Sequence, residues 1–172
     1  MAMKKTIMIA LVALVSFGAY AQHDHAAHGD SKDQAQAHVM FKDEKIGTAY
    51  SHYLHLKDAL VASKSDEAKK AAPELQKSLT SLNNSKKAKE SASKIAATTD
   101  LEDQRKEFST LSNEMTSLVK ASKLTMGAIY LEYCPMANNN DGAYWLSNEK
   151  QINNPYFGDA MLKCGSVKET IQ

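Results

Sequence analysis

Cysteine, tryptophan and proline are scarce in this 172-residue chain, which has two, one and three of them respectively. The two cysteines lack the close CxxC spacing that thiol redox chemistry favours, and they do not form paired metal knuckles. Charge of either sign is also missing in excess: 21 Lys and Arg stand against 20 Asp and Glu. No basic stripe interleaved with aromatics appears, which excludes nucleic acid as a partner. Lys-rich stretches such as "SKKAKE" read as solvated helix faces. Beyond the first twenty residues no run is long and apolar enough to cross a membrane. A nucleophile's companions are absent too. A Cys and a His occur, but no orienting acid or oxyanion-donor motif accompanies them, so no enzyme is expected.

What is present begins with an address. "MAMKK" is a basic start, Ile7 to Phe17 is an apolar run, and "AYA" at 19–21 supplies small residues for cleavage. Residues 1–21 therefore read as a secretory signal, with Gln22 as the first mature residue and a periplasm as the simplest destination. Losing Lys4 and Lys5 would take the formal charge from +1 to about −1. Residues 22–37 carry almost nothing to bury and read as a disordered, His-rich tail. Residues 38–172 remain as one domain, large enough to bury a core without staples.

Helical periodicity dominates that domain. Ile46, Tyr50, Tyr53, Leu54, Leu60 and Val61 predict a helix from about Val39 to Ser63. Ser65 is the expected cap of the next, whose buried face is Ala68, Ala72, Leu75, Leu79 and Leu82, with Pro73 interrupting it. Residues 86–97 predict a short helix anchored by Ile95. Thr99 with Glu102 forms a capping box ahead of Leu101, Phe108, Leu111, Met115, Leu118 and Val119. After Gly127 "AIYLEYC" alternates and is rich in β-formers, which reads as extended, with a helix continuing to Tyr133 as the alternative; "NNNDG" reads as a turn, and "NPYFGDAMLKCG" as a short helix ended by Gly165. The expected fold class is mainly α: an antiparallel three- to four-helix bundle with an irregular C-terminal cap.

Both cysteines lie in that cap, each with a methionine close by. Cys134 and Met136 flank Pro135, and Met161 and Cys164 share a face if helical. Two thiolates and two thioethers would suit a soft ion, Cu(I) or Ag(I). A Cys134–Cys164 disulfide is the competing reading, because two cysteines in an exported protein commonly pair; it would stabilise the cap by roughly 3–4 kcal/mol. Trp145, Tyr144, Tyr156 and Phe157 read as the cap's own small core; the sharper alternative makes Trp145 a shield or cation–π partner for a Cu(I) centre.

Histidines form two groups. His52 and His55 lie three apart on the first helix and read first as surface or interface residues; one of them would complete the sulfur site if the fold brings them together. In the tail His23, His25 and His28, with Asp24 and Asp30, read either as a chelator that needs no fold and exchanges metal rapidly or as a merely solvated segment.

The blocks "YCPMA", "GAYWLS" and "NPYFGDAMLKCG", with "DLEDQRKEF" before them, resemble an uncharacterised domain family of exported bacterial proteins. That family occurs alone and also fused to periplasmic adaptor subunits of heavy-metal (copper and silver) efflux pumps. The resemblance spans roughly residues 45–170 and rests on Cys134, Pro135, Met136, Trp145, Asn154, Pro155, Tyr156, Met161, Cys164 and Gly165. It implies a helical periplasmic domain associated with copper or silver handling. The expected function is thus a periplasmic Cu(I)-binding protein that sequesters the ion or hands it to an efflux component. The alternative is a disulfide-stapled interaction module with no metal at the cap.

Overall fold

The computed structural model describes residues 38–172. A short strand β1 (Met40–Phe41) leads into helix α1 (Glu44–Val61). The helix starts later than periodicity predicts, because Asp43 takes the capping role: its carboxylate accepts from the Lys45 amide at 2.9 Å. The residues just before it pair instead with β2 (Leu124–Met126), antiparallel.

Helix α2 (Ser65–Leu79) keeps Pro73 inside it, so the chain gives up one amide donor there without ending the helix. Ser65 is its first residue and not its cap; Lys64 holds the cap position and supplies no side-chain bond. Helix α3 (Lys86–Ala97) has the predicted bounds, and α4 (Leu101–Lys120) follows. Asp100, not Thr99, caps α4, accepting from Glu102 N at 2.8 Å and Asp103 N at 3.0 Å. A carboxylate at the position directly before the first helical residue answers two free amides and the positive end of the dipole, so it displaces the predicted box.

Connections of a few residues join the four helices, which makes sequence neighbours into packing neighbours; α1 also meets α4. Tyr53, Leu56, Leu60, Leu75, Leu79, Ile95, Phe108, Leu111 and Met115 are wholly buried between them. Within the predicted stripes Leu54, Val61, Leu82, Leu101 and Leu118 are only half-buried, at the margins of the core.

The C-terminal part is a sheet, not an irregular cap. Strands β3 (Ile129–Cys134), β4 (Ala143–Ser147) and β5 (Ser166–Ile171) form an antiparallel sheet in the order β4-β3-β5. The predicted short helix over "NPYFGDAMLKCG" shrinks to a single 3₁₀ turn at Gly158–Met161, after which the chain turns back as β5. Arg105 on α4 joins sheet region and bundle. It donates to the carbonyls of Pro155 (2.9 Å) and Leu60 (3.1 Å) and to the Ser63 hydroxyl (2.9 Å).

Candidate functional site

The site is built at the end of β3. Residues 135–142 reverse the chain from β3 into β4, with Asn138, Asn139 and Asn140 all at positive φ (53°, 58° and 71°). Asn tolerates that region better than other side chains with a Cβ, which is the physical use of the "NNN" run. Gly142 (φ 78°) completes the reversal, where any Cβ would strike the Tyr133 phenol at 2.0 Å. Cys134 then pairs with Ala143 across the ladder and is fully buried.

Cys164 arrives from the other side of the sheet region, held by Asn154. The Asn154 side chain, itself wholly buried, donates through Nδ2 to the Cys164 carbonyl (2.8 Å) and accepts at Oδ1 from Tyr156 N (2.8 Å). Its own amide donates to Leu162 O at 2.9 Å. Gly165 (φ 142°) permits the final approach: a Cβ there would lie 2.8 Å from the Trp145 ring and 3.1 Å from Tyr133 O. With hydrogen alone at that position, the segment packs directly on Trp145 and carries Cys164 to Cys134.

The two thiols are free and lie next to one another. That contact pushes the Cys164 thiol above its usual range; burial and the charge a Cys134 thiolate would carry add to the rise, and a hydrogen bond with the Met136 backbone works against it. Two neighbouring free thiols can lose their protons to a thiophilic metal or close a disulfide on oxidation.

The thioethers are placed differently. Met136 and Met161 line one cavity of about 570 Å³, together with Arg105, the asparagine turn and Phe157, and neither cysteine is on its wall. The four sulfur side chains thus divide into a thiol pair, buried at Cys134 and half-buried at Cys164, and two methionines at a neighbouring hollow. Trp145 is fully buried, edge-on to Tyr156 with ring centroids 6.0 Å apart, and belongs to the core of this region. Among the described residues no His, Asp or Glu joins the cysteines in a group of three. His52 is half-buried on α1, and His55 is exposed, lining a separate polar cleft with Lys57, Asp58 and Glu149. His23, His25 and His28 lie outside the described residues.

Sequence reasoning missed Glu132. It sits two residues before Cys134 and opposite Trp145, fully buried in the central strand. Burial raises its pKa to about 8; the Lys57 ammonium and the Trp145 indole pull it back only in part, and Glu149 adds to the rise. The indole faces the carboxyl group without closing a hydrogen bond of ordinary geometry. A lone acid inside "AIYLEYC" was the available signal.

With this geometry in place, likeness to known proteins can be located on the fold. Residues 49–127 match the family model Protein of unknown function (DUF3347). The DUF3347 segment takes in most of α1, all of α2, α3 and α4, and β2, but stops before β3. The likeness therefore covers the bundle, less than half of the chain, and none of the cysteine-bearing sheet. No curated protein and no solved structure matches the chain.

Proposed function

We propose that the domain binds one soft monovalent ion, Cu(I) or Ag(I), between Cys134 and Cys164, acting in the periplasm to sequester it or pass it to an efflux component. The reading rests on one observation above all: two free thiols thirty positions apart in sequence lie next to one another at the end of β3. Two thiolates suffice for a low-coordinate Cu(I) centre, because soft sulfur donors select that ion over harder ones. Met136 and Met161 would act as thioether ligands from the adjoining cavity, either completing the centre or receiving the ion before the thiols. His52 and His55 are left out of this ligand set. The tail histidines would contribute a separate, rapidly exchanging Cu(II) site.

Titrating the reduced mature protein with Cu(I) in the absence of oxygen tests the proposal. One equivalent should bind tightly against a competing chelator, and Cys134→Ser with Cys164→Ser should abolish it. Binding that survives the double substitution unchanged overturns the reading.

The same contact favours a second reading, a disulfide-stapled interaction module. Counting free thiols by mass after rapid blocking of protein taken from its native compartment separates the two. Two blocked thiols support the metal site; a bridge that needs reductant before it reacts supports the staple.

A further inference from the structure

Large side chains are rarely left exposed in facing pairs, and β1 and β2 present one. Met40 is opposite Met126 in the antiparallel register, and the two are 45% and 56% exposed. Directly opposed residues on one face have Cβ atoms about 5 Å apart, within joint reach of one ion for two flexible thioethers.

Burial along the incoming chain fixes which side chains share that face. His38 is exposed, Val39 packs on the core, Met40 is exposed and Phe41 is buried. His38 and Met40, both exposed, are thus separated by one residue that packs inward. Gly127, directly after Met126, brings the His38 end of the chain alongside: at φ 84° a Cβ there would lie 2.7 Å from the His38 carbonyl oxygen and 3.1 Å from Val39 Cα. One imidazole and two thioethers thus lie exposed at the same end of the β1–β2 pair.

We propose that His38, Met40 and Met126 form a metal site of their own, taking a single soft monovalent ion, Cu(I) or Ag(I), through one nitrogen and two sulfurs. Thioether sulfur discriminates against hard and borderline divalent ions. The local charges act in the same direction, since Lys42 and Lys123 are bonded backbone to backbone at the next step of the ladder (2.8 Å). Among the described residues no group of three His, Cys, Asp or Glu offers a competing divalent site. Exposure makes this a place of quick loading and release, in contrast to the buried Cys134. The inference does not depend on the cysteines.

Silver nitrate added to mature protein carrying ¹³C-methyl methionine, in chloride-free buffer, tests it residue by residue. The Met40 and Met126 methyl signals should move together with one equivalent of Ag(I), while the core Met115 signal stays still. Met40→Leu should abolish the Met126 shift, and Met126→Leu the Met40 shift. His38→Gln should weaken binding by on the order of tenfold. Signals from Met136 and Met161 report separately on the thiol site, so either site can fail alone. Immobile Met40 and Met126 signals up to three equivalents overturn the proposal. So does a Met126 shift unaffected by Met40→Leu.

Discussion

At the residue scale Glu132 is the costliest feature of the sheet. Both its oxygens and the Trp145 Nε1 are buried without a protein hydrogen-bond partner. An unfolded glutamate ionises above about pH 4.3, whereas this one keeps its proton to about pH 8 in the fold. Between those values the unfolded chain binds fewer protons than the folded one, so stability falls as pH rises and levels off above the folded value. Each pH unit in that window removes up to about 1.4 kcal/mol. Urea unfolding should show this decline from pH 5 to 8, and Glu132→Gln should flatten it, gaining on the order of 2–3 kcal/mol at pH 8. A wild-type profile as flat as the variant's would refute the assignment. An acid within an apolar strand was readable as unusual, but its burial was not. Consecutive Leu131 and Glu132 are both buried, whereas strand alternation by itself leaves every second side chain open to water.

Among the elements, the segment that carries Cys164 shows how little freedom the site has. Gly165 combines a positive φ with contact against the Trp145 ring. Gly165→Ala should therefore destabilise the domain by about 1–3 kcal/mol and slow formation of the Cys134–Cys164 bridge under oxidised glutathione, followed by mass. Bridge formation at the wild-type rate would show that Gly165 does not position Cys164. The helices were legible because each has a repeating apolar face and α4 an acidic start; the stripe of Phe108, Leu111, Met115 and Val119 is buried as its spacing predicts. The 3₁₀ turn and β5 were not. Pro155, Gly158 and Gly165 fit a capped short helix equally well, and β5 exists because β3 offers a free edge to a segment of mixed polarity.

For the whole molecule, the decisive joint is the one between bundle and sheet. Arg105 reaches the C-terminal end of α1, Ser63 and the Pro155 carbonyl at once, and burial lowers its pKa without discharging it. Arg105→Met keeps the packing length and removes all three bonds. It should cost on the order of 2–3 kcal/mol in chemical unfolding and increase amide exchange around Asn154–Cys164 more than in α2 and α3. Uniform exchange across the domain would mean that Arg105 does not clamp this joint.

Periodicity and turn composition determined locally that the chain makes a bundle of three or four helices and that "NNNDG" reverses direction, and they favoured an extended "AIYLEYC". These signals act over a few residues, and a linear reading captures them. Tertiary structure alone decided that Cys134 touches Cys164, that the methionines stand off at a neighbouring cavity, that Met40 faces Met126, and that Glu132 is sealed from water. Each of those depends on strand register and on where distant segments dock, and pairing energies between remote residues leave no periodic trace in the sequence.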